Sequence, residues 1–75
     1  MHQPDSSEYA ALGLKLSRLG KWAEAAAAYR EALRLDPANS EALSNLGFVY
    51  YEMGLDAEAQ EALSAAEALR GSSQK

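Results

Sequence analysis

The sequence predicts an all-α fold: two stacked antiparallel helical hairpins, four helices in all, forming a short right-handed α-solenoid. Three observations predict it. Residue pairs recur at an offset of 34, Leu12 with Leu46, Gly13 with Gly47, Gly20 with Gly54, Ala25 with Ala59 and Ala32 with Ala66, and a unit of that length is the signature of stacked helical hairpins. Apolar residues recur three and four apart in every segment, and none alternates with period two. The β-branched set is a single valine, Val49, so a sheet has almost nothing to be made from.

Each element has its own start and stop. The first helix begins after Pro4, where Asp5 caps and Glu8 completes a capping box, and it is expected to run to Gly20 on the apolar set Tyr9, Leu12, Leu16 and Leu19. Gly20 supplies a left-handed turn. The second helix runs from about Trp22 to Leu35 with Ala25, Tyr29, Ala32 and Leu33 inward. Asp36-Pro37 ends it, because proline lacks the amide donor and disfavours helix in the residue before it. The third starts at Ser40 behind an Asn39 cap, turns Leu43, Leu46, Tyr50 and Met53 inward, and stops at Gly54. The fourth follows Asp56, read as its N-cap with Glu58 in the positive first turn, and ends at Gly71; Ala59, Ala62, Leu63 and Ala66 face inward. The expected organisation is an N-terminal arm over 1–5, hairpins over 6–39 and 40–71, and a frayed tail over 72–75.

Length, charge and cysteine usage narrow the function. A single domain of 75 residues buries only about 60% of the surface its unfolded chain exposes, so its margin of stability is thin. There is no cysteine, hence no disulfide framework and no thiolate site. A net charge of −4 and a pI near 4.8 argue against nucleic acid, whose phosphates need a basic face. Lys15, Arg18, Lys21, Arg30 and Arg34 are interleaved with acids, as in solvated helix faces with local pairs such as Glu31 with Arg34. Apolar runs such as Ala25 to Ala28 and Phe48 to Tyr51 are far short of the roughly 20 residues that span a bilayer. Polar His2, Gln3, Pro4 and Asp5 after Met1 make no secretory signal. The expectation is a cytoplasmic address without membrane contact.

Catalytic constellations are missing. The one histidine, His2, cannot assemble a triad or a multi-histidine metal site. Carboxylate pairs such as Glu58 with Glu61 or Asp56 with Glu52 sit on exposed helix faces, where no burial separates their proton affinities. The glycines belong to packing and turns rather than to a phosphate-binding loop. No enzyme activity, cofactor or metal is expected.

The chain resembles the tetratricopeptide repeat family twice over. The family's first anchor is met by Tyr9 and Leu43, its Leu-Gly pair by Leu12-Gly13 and Leu46-Gly47, its next anchor by Leu16 and Tyr50, and its hairpin glycine by Gly20 and Gly54. The second helix of the family's unit is met by Ala25, Tyr29, Ala32 and Pro37, then by Ala59, Leu63 and Ala66 with Gly71 in place of proline. Glycine inside a helix costs roughly 1 kcal/mol against alanine, so close approach of the facing helix has to return more than that.

Two departures concern the ends. Trp22, Ala26 and Leu33 form an apolar stripe on the second helix, whereas the matching Asp56, Gln60 and Glu67 are polar. Ala42 and Val49 on the third helix are matched on the first by charged Glu8 and Lys15. The expectation is a finished two-repeat module with both ends capped.

The resemblance implies a concave surface made by the first helix of each unit, offering a partner Leu14 and Arg18 from one and Glu41, Asn45, Phe48, Tyr51 and Glu52 from the other. Leu14, Phe48 and Tyr51 lie off the hairpin core, so they either anchor a peptide or helix of a partner protein or are partly covered by neighbouring side chains. A homodimer using the same apolar surface is the alternative. Of the clamp with which one branch of the family holds a C-terminal carboxylate, only Asn45 has a counterpart; Ala10 and Leu14 stand where that clamp needs a lysine and an asparagine.

Overall fold

A computed structural model describes residues 2–71. It contains α1 (Ser6–Arg18), α2 (Trp22–Leu35), α3 (Ser40–Glu52) and α4 (Asp56–Gly71). The tail expected over 72–75 lies outside the described residues. α1 packs on α2, α3 on α4, and α2 on α3, while α1 and α3 touch lightly. The result is a slab of 38 × 33 × 16 Å, thin because its hairpins lie side by side. Among the described residues no helix is long and apolar enough to cross a membrane.

The helix ends follow the repeat. At α1, Asp5 accepts the amide of Glu8 at 2.9 Å while the Glu8 carboxylate accepts the amide of Asp5 at 2.9 Å, the reciprocal capping box. The Glu8 amide foremost, and the Ser7 hydroxyl after it, hold the Asp5 carboxyl below its ordinary range. Both α1 and α3 stop two residues before the expected glycine, because the last two residues are used in the turn. Lys21 N donates to Leu16 O and Leu55 N to Tyr50 O, each at 2.9 Å, across Gly20 and Gly54 at φ +76° and +78°. This is one Schellman turn made twice, and its left-handed residue favours glycine.

Asp56 corrects the expectation for α4. It is the first helical residue rather than the cap, since Ala59 N donates to Leu55 O at 2.9 Å and the helix is already closed there. The equivalent bond in the first hairpin runs from Ala25 N to Lys21 O at 2.9 Å. The Schellman turn hands the chain to the next helix one residue earlier than the aspartate suggests.

Alanine sets the packing. Among the described residues, eight of the eleven buried apolar ones are alanines; Tyr29, Leu46 and Val49 are the others. An ideal Cβ on Gly13 would lie 2.8 Å from the Tyr29 ring, and one on Gly47 2.8 Å from Leu63. The missing side chains therefore let each hairpin close. Leu12 and Leu19 depart from the expected inward face of α1, at 45% and 63% exposure, whereas Leu46 is 5% exposed. Leu46 packs in the core shared with α2, and no described helix lies on the matching side of α1. That edge is thus mixed, with Leu12 and Leu19 between exposed Glu8 and Lys15. At the opposite edge Asp56, Gln60 and Glu67 are all exposed.

Asn39 joins three helices. Its Oδ1 accepts the amide of Ala42 at 3.0 Å, capping α3, while its Nδ2 donates to Ser6 Oγ at 2.9 Å, and Ser6 Oγ donates to Ala32 O at 2.9 Å. The start of α1, the end of α2 and the start of α3 are tied in one chain of bonds. Asn39→Ala removes a cap worth about 0.5–2 kcal/mol together with the Ser6 link, so a fall in melting temperature is expected. Asp36→Ala, which loses only the Asp36 Oδ1 contact to Ala38 N at 3.1 Å, should fall less; equal shifts in the two melts would contradict this role for Asn39.

Candidate functional site

The contact between α1 and α3 leaves a trough on one face of the slab. Its larger part, about 300 Å³, is lined by Leu14, Ser17 and Arg18 from α1, Trp22 and Tyr29 from α2, and Asn45 and Phe48 from α3. A smaller part of about 180 Å³ shares Leu14 and Asn45 and continues past Ser7, Ala10 and Asn39 to Glu41. Both helices present this face because their opposite sides are taken up by hairpin packing at Gly13 and Gly47.

Five of the seven residues that the sequence singles out line this trough: Leu14, Arg18, Glu41, Asn45 and Phe48. Tyr51 and Glu52, both exposed, line neither part. Phe48 is 52% exposed and Leu14 37%. Phe48 also meets Trp22 edge to face, with centroids 6.0 Å apart and planes at 72°. One side of this phenylalanine is thus packed and the other is open.

Trp22 and Tyr29 enter the site unannounced. Their positions in the repeat mark them as packing residues, and both do pack. The available signal was chemical: the second unit has Leu63 where the first has Tyr29, so a hydroxyl is present that packing does not require. That hydroxyl is buried against Ser17 and Asn45. Burial pushes it above its ordinary pKa, against the downward pull of nearby Ser17, Asn45 and Arg18, and Glu41 adds to the rise. Ser17 Oγ already donates to Leu14 O at 2.8 Å.

The charges at the trough are unpaired. Among the described residues the ion pairs are His2 with Glu8 and Glu31 with Arg34, so Arg18 and Glu41 have no partner of opposite sign. Arg18 lies at the larger part and Glu41 at the smaller one. Among the described residues no group of three or more metal-ligating side chains occurs, and His2 contacts Glu8 at 2.9 Å. A third concavity of about 380 Å³, formed by Ala11, Leu14, Lys15, Arg18 and Leu19, is larger but has no facing wall, because four of these residues belong to α1 and Leu19 is its C-cap.

A trough walled by the first helix of each hairpin is the surface that helical-hairpin repeat proteins present to other proteins. The model of the TPR repeat family matches residues 13–54, more than half of the chain, and the chain belongs to that family. TPR repeats mediate protein–protein interaction. No curated protein matches the chain.

Proposed function

We propose that this chain is a small, non-catalytic TPR adaptor, with repeats over 6–39 and 40–71, that takes a peptide or helix of a partner protein into the trough between α1 and α3. The observation that carries the reading is Phe48, a half-exposed aromatic held in place by Trp22 at the rim of a depression with unpaired polar groups. Leu14 forms the opposite apolar wall. Arg18, Glu41 and Asn45 supply polar selectivity within the trough, and Tyr51 and Glu52 extend the surface at its rim. Covering one such aromatic contributes roughly 1.5–3 kcal/mol, and anchors of this type dominate interface energetics.

A peptide recovered from a random display library on the immobilised protein supplies the test. Phe48→Ala is expected to weaken that peptide by about tenfold or more, the equivalent of 1.4 kcal/mol, while circular dichroism stays helical. Only the edge contact with Trp22, about 0.5–1.5 kcal/mol, is lost from the fold. Unchanged affinity would remove Phe48 from the site, and loss of helicity would make it a core residue.

The second reading is a homodimer through the same surface. Exposed Leu12 and Leu19 favour it, since Leu19 adjoins the trough through Leu14 and Arg18 and would enlarge the apolar area covered. Sedimentation across concentration separates the two: a monomer at micromolar protein leaves the trough free, whereas a dimer that survives dilution closes it.

A further inference from the structure

The outer edge of α1 carries the stripe Glu8, Leu12, Lys15 and Leu19, spaced four, three and four so that all share one face of the helix. All are exposed, and no described helix lies on that side. None of them lines the trough between α1 and α3. The two charges of the stripe lack a match on their own helix. Three and four residues after Glu8 stand Ala11 and Leu12, and the same steps on either side of Lys15 reach Leu12, Ala11, Arg18 and Leu19, so neither has an opposite charge at helical pairing distance. Glu8 and Lys15 are two turns apart, about 10.5 Å along the axis, and do not pair with each other. Among the described residues Glu8 has only His2 and Lys15 has no ion-pair partner.

We infer that this edge is a self-association surface, along which two copies of the chain pair with their α1 helices antiparallel about a two-fold axis near Leu12, each Glu8 on the partner's Lys15. A two-fold contact is self-complementary: what residue i meets in j, j meets in i. With position 8 opposite 15, position 12 falls opposite 11, so the two Leu12 side chains meet across the axis beside Ala11, and Leu19 lies over the start of the partner's α1. Two ion pairs then flank an apolar centre, and both charges of the stripe are matched. The opposite edge of the slab has no such solution, because Asp56, Gln60 and Glu67 on α4 include no cation and self-pairing there sets acid against acid. A helix of 13 residues is about 20 Å long, so a contact along one edge stays below the roughly 1,200 Å² at which stable interfaces begin, and exposed ion pairs add little each. The dimer is therefore weak and forms only at high protein concentration. Because the stripe lies outside the trough, both troughs stay open, unlike in a homodimer through the trough itself, and the inference stands whether or not the trough takes a peptide.

Sedimentation equilibrium from low micromolar to near-millimolar protein tests the pairing. The parent is expected to be monomeric at the bottom of that range and to move toward the mass of two chains, and not beyond, at the top. Lys15→Glu and Glu8→Lys should each weaken self-association about tenfold or more, since each turns two attractive pairs into repulsive ones, while circular dichroism stays helical. An equimolar mixture of the two variants should pair again, because every charged contact in the mixed dimer joins opposite signs. A folding defect cannot produce that rescue, which guards against the loss of the α1 capping box in Glu8→Lys. A parent that stays monomeric throughout, or a mixture that pairs no better than its components, would overturn the inference. So would growth past two chains, which would set the α4 edge of a further copy on α1, or loss of pairing in Phe48→Ala, which would move the contact to the trough.

Discussion

Val49→Asp is expected to unfold the protein at room temperature, whereas Lys15→Asp, the same new residue 34 positions earlier, leaves the melt almost unchanged. The two sites are equivalent in the repeat but not in the structure. Val49 is 0% exposed in the seam between α2 and α3, and Lys15 is exposed on the free edge of α1. At position 49 the substitution forfeits about 1.5–3 kcal/mol of buried valine. It also places a carboxylate, too short to reach water, where an unpaired ion costs about 3–5 kcal/mol. A domain of 75 residues holds about 0.05–0.15 kcal/mol per residue, a total of the same size as these losses. Circular dichroism at 222 nm with a thermal ramp reads both variants. A cooperative melt for Val49→Asp near that of the parent would mean that the two hairpins do not stack as described.

The second large effect is Gly13→Ala, expected to lower stability by about 1–3 kcal/mol even though alanine is the better helix former by about 1 kcal/mol. Its Cβ would come within 2.8 Å of Tyr29 Cε1 and 2.9 Å of Cδ1 and Cζ, and that ring is wholly buried. Gly47→Ala is the internal control. There the close atoms are Leu63 Cγ at 2.8 Å and Cδ2 at 2.9 Å, on a side chain 42% exposed that can turn outward. A domain of this size moves about 4–8 °C per kcal/mol, so the two melts should separate clearly with Gly13→Ala the lower. A Gly13→Ala variant that melts higher than the parent would show that the hairpin has slack.

The repeat made most of the architecture readable in advance. Periodic alanines, turn glycines and the Leu-Gly pairs are local or strictly repeated signals, and the four helices lie where those signals place them. What was not readable depends on neighbours. Leu12 and Leu46 are the same residue in the same repeat position, yet one is half exposed and the other buried; only the presence of α2 beside α3 distinguishes them. The Asp56 misreading has the same origin, since a good capping residue is overruled by the turn that delivers the chain one residue early. The bond from Asn39 to Ser6 joins residues 33 apart, a separation that no spacing rule connects.

The candidate site divides along the same line. Leu14, Arg18, Glu41, Asn45 and Phe48 were implied by the family's concave surface, and they meet here because an α-helix fixes which residues share a face. Tyr51 and Glu52 share that face on paper but fall beyond the end of the trough. Trp22 and Tyr29 were hidden by their packing roles, because a residue can fill a core with its ring while its edge or hydroxyl borders an opening. Their contribution appears only when α2 is seen lying beneath the seam between α1 and α3.

Chemical-shift mapping of the protein with its display-selected peptide bound tests the central claim most directly, because it reports on every helix at once. The expected result is a set of perturbations confined to α1 and α3, largest at Leu14, Arg18, Asn45 and Phe48 and at the ring of Trp22, with the outer faces of α2 and α4 unmoved. Perturbations centred on Asp56, Gln60 and Glu67, or on Leu12 and Leu19, would contradict it and place the partner on an edge of the slab instead.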